Sequence, residues 1–266
     1  MCAVDTRAPA LALQSLMKST TQVAFGRVML FTHDWLPRRV VPGIEIVDIG
    51  PIRSGADYSQ FVLRRLPAYI DTSHALITQW DGFVVDASAW TDAFLAHDYI
   101  GAPWPDQPPA TAVGNGGFSL RSRRLLAAGM DPRIQTLHPE DAVLCVQQRD
   151  FLQRVHGVSF APIKLAQRFA FENQEPSRTT FGFHGPYNLP RFLSQAELKL
   201  WLRALPDDFF RSRDARRLAR AMLGRQMADA AGELLRRRLA AGRTDINTRL
   251  LSAVANVMGR FAPARP

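Results

Sequence analysis

Short apolar runs alternating with helix-like segments through residues 1–86 predict an α/β protein with a mainly parallel central sheet. A basic, helix-periodic stretch beyond residue 195 predicts a helical appendage. Residues 2–5 form a brief apolar run, residues 11–19 are helical, and residues 28–32 are apolar throughout. Such runs fit strands that water reaches on neither face. A Pro-Gly turn leads to a strand at 44–48, a helix follows from about residue 57 to 66 and stops near Pro67, and residues 75–78 form a further buried strand. The right-handed crossover rule makes this a doubly wound domain, whose ligands sit beyond the carboxyl ends of its strands. Asp5, Thr6, Thr32 and residues 79–81 fall there.

After Asp86 the alternation breaks. Residues 97–119 are turn-rich and carry Tyr99-Ile-Gly-Ala-Pro-Trp104 and Gly114-Asn-Gly-Gly117. Long irregular loops in compact domains are functional or disordered, and the aromatic and glycine content favours function here. Beyond Gln195, Leu218, Met222, Leu234, Leu235, Leu239, Leu250, Leu251, Val254 and Val257 recur at helical spacing, with Gly232, Gly242 and Gly259 as breaks. Two or three amphipathic helices are expected. The chain therefore divides into a domain at 1–195 and a tail at 196–266.

The formal charge of +9 invites a polyanion-binding reading. Its location argues against that: residues 201–266 hold fourteen Arg, no Lys and six Asp or Glu, which is +8 of the total. The domain that carries the chemistry is nearly neutral. Two cysteines, Cys2 and Cys145, make no disulfide framework and no C-x-x-C pair. With no leader-like start and no long apolar run, the expected location is cytoplasmic.

Four constellations carry chemistry. Leu76-Ile-Thr-Gln-Trp-Asp81 ends an apolar strand in an acid, which can hold a divalent metal bridging two phosphates or merely cap a turn. Asp86, a short strand further on, reads as structural. In Val113-Gly-Asn-Gly-Gly-Phe-Ser-Leu-Arg121, glycines allow close backbone approach to a polar ligand, though a plain bulge explains them as well. Neither a dinucleotide fingerprint nor a P-loop is present. His138-Pro-Glu-Asp141 places two acids at a helix start, where the macrodipole favours them and where one can serve as general base. His184, between Gly182 and Gly185, is a metal or phosphate ligand or a structural histidine.

In order along the chain, Ala3-Val-Asp-Thr-Arg7, Asp57-Tyr-Ser-Gln-Phe61, Gln79-Trp-Asp81, Asp98-Tyr-Ile-Gly-Ala-Pro-Trp104, Gly114-Asn-Gly-Gly-Phe-Ser-Leu-Arg121, Pro139-Glu-Asp141 and Phe181-Gly-Phe-His184 resemble a bacterial glycosyltransferase family of the GT-A type, catalogued as a domain of unknown function. The resemblance covers roughly residues 1–195. It implies a GT-A-like, Rossmann-like sandwich that moves a sugar from a nucleotide-diphosphate donor to a glycan or lipid-linked acceptor, in surface polysaccharide or glycoconjugate synthesis. Carried over, Asp5, Thr6, Asp57, Tyr58, Gln79, Asp81, Gly116 and Gly117 would contact the donor. Asp81 and His184 would hold Mn²⁺ or Mg²⁺. Asp141, with Glu140 as alternate, would be the base, and Arg121 could stabilise the leaving phosphate. The usual acid-x-acid metal motif reads Gln79-Trp80-Asp81 here, which replaces one carboxylate with a weaker amide ligand.

Two other readings compete. A nucleotidyltransferase would carry a Gly-rich loop with a cation soon after the first strand, where this chain has Arg7-Ala-Pro-Ala. A non-catalytic nucleotide-sugar or carbohydrate-binding module fits the missing acid, but not the retention of Glu140, Asp141 and His184. For the tail, peripheral contact with anionic membrane competes with a packed helical hairpin bearing a solvated arginine face. No nucleic acid is expected as partner, because Trp201, Phe209, Phe210 and Phe261 are the tail's only stacking groups.

Overall fold

The computed structural model describes residues 1–261. Strand β1 (Cys2–Val4) leads through α1 (Pro9–Thr20) to β2 (Met29–Thr32), and a loop leads on to β3 (Glu45–Asp48). Helix α2 (Gly55–Gln60) then runs through a π turn at Phe61–Arg65 and a 3-10 turn at Leu66–Tyr69 into β4 (His74–Thr78). Pro67 limits this helical stretch as expected, since it brings no amide hydrogen and a fixed φ. Strands β5 (Tyr99–Gly101) and β6 (Phe118–Ser122) flank the turn-rich segment, so that part of the chain is less irregular than its composition suggests. The short strand expected before Asp86 is only an isolated bridge from Val84 to Gly182. Asp86 caps the following 3-10 turn by accepting from the Ser88 N–H at 2.8 Å.

The six strands lie in the order β3-β2-β1-β4-β6-β5. The first four run parallel, and β6 runs antiparallel to both of its neighbours. Alternate residues serve opposite faces. Ala3 and Leu30 pack on Ala12, Leu13 and Leu16 of α1, while Cys2, Val4, Met29 and Phe31 pack on Phe61, Val62 and Leu66. Both faces are thus covered, which is why these strands read as continuous apolar runs. Both cysteines are buried and unpaired, and burial pushes the Cys2 thiol up to about 11.

Strand β1 has β2 on one side and β4 on the other, so the topological switch point lies between β1 and β4. Their carboxyl ends release Asp5 and Gln79 to the same sheet edge. Helices α3 (Arg123–Ala128), α4 (Glu140–Ala142), α5 (Arg149–His156) and α6 (Ile163–Phe169) follow, then a parallel pair, β7 (Ala170–Phe171) and β8 (Gly182–Phe183). A cluster of Phe94, Phe118, Phe169 and Phe181 joins this part to the sheet, with Phe94–Phe169 and Phe118–Phe169 centroids 5.2 and 5.3 Å apart.

The chain forms two compact units, Met1–His184 and Gly185–Pro266. The division falls ahead of residue 195, because the 3-10 segment Pro186–Arg191 packs on a tail helix and Arg217 stacks 3.4 Å over the Tyr187 ring. Beyond it lie α7 (Gln195–Ala204), opened by a Ser194–Glu197 capping box, α8 (Arg213–Gly224), α9 (Ala228–Ala240) and α10 (Ile246–Phe261). Two or three helices were expected and four are present among the described residues. Gly232 and Gly259 sit inside helices, and among the three glycine breaks only Gly242, with φ of +83°, ends one. No helix of the described residues is long and apolar enough to cross a membrane.

Asp98, which opens the Tyr-Ile-Gly-Ala-Pro-Trp motif, ties three segments together. Its Oδ1 accepts from the Ser122 hydroxyl, and its Oδ2 accepts from the Ser159 N–H at 2.8 Å and the Ser159 hydroxyl at 3.1 Å. Burial opposes its charge, but these bonds win and hold the carboxyl below its usual value. Asp98→Ala is expected to lower stability at neutral pH by about 2–3 kcal/mol in urea unfolding. A depressed native pKa stabilises above the unfolded value of 3.8 and is lost as pH falls through the native one, so the gap should close in acid. A gap that persists there would assign the loss to packing.

Candidate functional site

At the ligand edge of the sheet, Gln79 leaves β4 with its N–H donating to the Gly117 carbonyl at 2.8 Å. Two residues on, Asp81 is buried. Its Oδ1 lies 3.3 Å from His184 Nε2, and the same Nε2 is 3.2 Å from Gln79 Oε1. The sheet pairing explains how His184 arrives. Phe171 is registered with Phe183, and the His184 N–H donates to the Phe171 carbonyl at 3.0 Å, so the next residue of each strand, Glu172 and His184, come side by side. Glu172 Oε1 lies 3.4 Å from His184 Nδ1.

The glycines admit this arrangement. A Cβ on Gly117 would stand 2.0 Å from the His184 ring, and one on Gly116 would stand 2.2 Å from Glu140 Oε1. Asn115 adopts φ of +64°, a conformation asparagine tolerates better than most residues, and its Nδ2 donates to Glu172 Oε2 at 2.8 Å. The Gly116 N–H donates to Asp141 Oδ2 at 2.9 Å, and the Ala142 N–H donates to Asp141 Oδ1 at 2.8 Å. Asp141 is half-buried. Glu140 faces the other way and accepts from buried Arg121 Nη2 at 2.9 Å.

The other residues singled out in the sequence have mainly local partners. Asp5 Oδ1 accepts from the N–H groups of Arg7 and Ala8 at 2.7 and 2.6 Å, holding the approach to α1. Burial raises its pKa, the two N–H groups oppose that, and the nearby Asp81 charge adds to it. Thr6 Oγ1 donates to the Ile52 carbonyl and accepts from its N–H. Asp57 Oδ2 accepts from the Arg53 N–H at 2.9 Å at the start of α2. The Tyr58 hydroxyl is buried, which pushes its pKa well up, with Glu140 adding and Arg121 and Gln79 opposing. Sequence reasoning missed Glu172 and Asn115. An asparagine among glycines was a signal for a left-handed turn, whereas nothing local to Glu172 announces its partner.

The donor set can be tested against a divalent ion. Adjacent ligand atoms in an octahedral shell with bonds of about 2.1 Å stand about 3 Å apart. Nε2 of His184 stands at such spacings from Gln79 Oε1 and Asp81 Oδ1, and Asp81 Oδ1 is buried without hydrogen-bond geometry to any described group. Each of these two spacings suits a pair of neighbouring ligand atoms on one ion. Glu172 on Nδ1 supplies the carboxylate that ligating histidines usually have behind them. Among the described residues no group of three His, Cys, Asp or Glu could hold a metal. Gln79 and substrate oxygens would have to complete the shell. Without an ion, burial disfavours the imidazolium, but the Asp81 and Glu172 carboxylates outweigh it and hold the His184 pKa well above 6.5.

Fold and site define an α/β protein with an amide–acid–histidine cluster at the switch point of a mostly parallel, Rossmann-like sheet and a helical unit after it. The profile of the family described as "Protein of unknown function (DUF5672)" matches residues 43–184, more than half of the chain. The chain belongs to that family. The match spans Gln79, Asp81, Gly114–Gly117, Asp141 and Glu172 and ends on His184; Asp5, Thr6 and the tail lie outside it. No curated protein matches the chain.

A histidine with a raised native pKa stabilises fully below its unfolded value and ceases to do so as pH rises through the native one. The stability advantage of the wild type over His184→Gln should therefore shrink as pH rises past the unfolded value of 6.5 toward the raised native one. Urea unfolding as a function of pH checks it, and a constant difference would show that His184 titrates alike in the native and unfolded states.

Proposed function

We propose that this chain is a glycosyltransferase of the GT-A type that moves a sugar from a nucleoside-diphosphate donor to an acceptor hydroxyl with the help of Mn²⁺ or Mg²⁺. The observation that carries the reading is the convergence of Gln79 Oε1, Asp81 Oδ1 and His184 Nε2 at the switch point, with Asp141 held one residue away by Gly116. The strand order 3-2-1-4 of the first four strands supports a nucleotide at that edge, since doubly wound sheets bind nucleotides there. A divalent ion bound at the cluster would neutralise the diphosphate and its developing charge. Gln79, Asp81 and His184 would hold it, and Asp5 stands at the adjoining strand end toward the nucleoside.

Each Asp141 oxygen accepts one backbone N–H, which fixes the carboxylate and leaves it acceptor capacity for a hydroxyl proton. The acceptor oxygen attacks the anomeric carbon, the bond from that carbon to the diphosphate breaks, and the hydroxyl proton passes to Asp141. Glu140 takes no part, because Arg121 occupies it. Gly116 and Gly117 serve by admitting Glu140 and the His184 ring against the backbone, which sets base and cluster side by side.

A second reading is favoured by one observation. An imidazolium between Asp81 and Glu172 offsets one of their two charges without a metal, as a nucleotide-sugar-binding module that performs no transfer would need. Calorimetry with UDP and GDP, with and without Mn²⁺, separates the two. Transfer predicts binding that Mn²⁺ strengthens, and Asp81→Asn should remove the Mn²⁺ effect. Affinity independent of Mn²⁺ in the wild type would favour the module.

For the base, Asp141→Asn should leave nucleoside-diphosphate affinity within about twofold while lowering turnover of the donor by about 10² to 10⁴. Glu140→Gln should act through stability instead, with a loss of about 3–5 kcal/mol from unpairing Arg121. Equal turnover in wild type and Asp141→Asn would remove Asp141 from the chemistry.

A further inference from the structure

The Tyr-Ile-Gly-Ala-Pro-Trp motif has no part in the cluster, yet it ends in an indole beside a cavity of about 350 Å³. That volume lies at the lower end of the roughly 300–1,000 Å³ typical of small-molecule sites. We infer that this cavity is a subsite for a neutral sugar ring, with Trp104 as its stacking face. Its role as the acceptor subsite rests on the transfer reading above. Its occupancy by a sugar does not.

The indole is fixed in advance. The backbone N–H of Trp104 donates to the Ala112 carbonyl at 2.7 Å, Pro103 and Val113 form a bridge, and a Cβ on Gly114 would stand 2.2 Å from the ring. Trp104 is partly buried against the core while also lining the cavity. A held aromatic face loses little freedom on binding, and its negative quadrupole attracts the weakly positive C–H edges that one face of a pyranose presents.

The remaining lining matches hydroxyl groups. Gln147 and Asn173 offer amides that both donate and accept, and Asp106 offers two acceptor oxygens. No Lys or Arg is among the described residues lining the cavity. A phosphate would meet Asp106 with no cation to offset it, so the cavity suits a polyol and not the nucleotide. Its position ties it to the site: Ala142 in the floor follows Asp141, and Asn173 Nδ2 donates at 2.7 Å to Glu172 Oε2, the carboxylate behind His184. The cavity thus borders the residue that follows the proposed base and the residue bonded to the carboxylate behind His184.

The test uses the full chain and the Trp104 indole N–H resonance, assigned by its disappearance in Trp104→Phe. Methyl glycosides of glucose, galactose, mannose and N-acetylglucosamine are titrated, with UDP as the anionic comparison. At least one glycoside should shift the resonance saturably. Gln147→Ala, at an exposed position, should weaken that glycoside about five- to tenfold, and Asp81→Asn should leave it unchanged. The subsite is overturned if none of the four shifts the resonance, if Gln147→Ala has no effect, or if UDP shifts it as strongly as the glycosides. Glycoside binding without any Mn²⁺-dependent UDP or GDP binding would keep the subsite and sink the transferase reading. The converse result would do the reverse.

Discussion

The Arg121 guanidinium has no exposed surface, although it projects from β6, a strand inside the sheet. A charge there is tolerable only when a carboxylate and polar atoms are built around it, because desolvation costs several kcal/mol per ion. Glu140 supplies the carboxylate at 2.9 Å, and the Ser119 hydroxyl accepts from Arg121 Nε at 3.0 Å. That requirement propagates outward. The Glu140 N–H is in turn held by the Ser59 hydroxyl, which also meets His138 at 2.9 Å, so β6, α4 and α2 are locked together. With Glu140 drawn inward, its neighbour Asp141 turns to the Gly116 amide, and the glycine loop is placed between the buried pair and the His184 cluster. The cost of one buried charge thus decides which of two adjacent acids is available for chemistry.

Four of the seven buried polar atoms lacking a hydrogen-bond partner among the described residues belong to this neighbourhood: Tyr58 Oη, Asp81 Oδ1, Asn115 Oδ1 and Arg121 Nη1. Native proteins leave few such atoms, and their concentration here sets this neighbourhood apart from the rest of the described residues. His184 sits among them with a carboxylate on either side of its ring. The same geometry serves an imidazolium between two acids or a ligating nitrogen with one acid behind it, and protonation decides between them.

The tail's charge has a more internal use than its composition suggests. Buried Arg238 donates to the Phe210 and Ser212 carbonyls and to Thr248 Oγ1, while Arg237 lies 3.8 Å over the Phe210 ring and donates to Asp207 at 2.9 Å. Arg211 and Arg243 bond carbonyls across the same helices. Guanidinium groups suit this because each has several donors in one plane for the carbonyls that helix ends leave unpaired. The outer face of α10 presents Ile246, Leu250, Val254 and Val257 to solvent.

The sequence by itself determined the α/β class, the first four strands and the helical tail, because apolar periodicity records burial locally and β1, β2, β4 and the tail helices bury apolar faces, while the edge strand β3 is marked by the Pro-Gly turn before it. It also marked Asp81, the glycine run, the two acids and His184, since an acid at a strand end or a glycine before a strand is unusual within its own few residues. It did not determine which of those residues meet. Glu140 and Asp141 are adjacent and chemically alike; only the position of Arg121 on β6 separates the carboxylate of a buried ion pair from one held by backbone N–H groups. Glu172 carries no local sign at all, and reaches His184 only because β7 and β8 pair in one register. Gly232 and Gly259 fail as helix breaks because tertiary packing outweighs a propensity cost of about 1 kcal/mol each. Periodicity is a property of neighbouring residues, whereas a site is made by residues far apart in the chain, and only the packed structure brings those together.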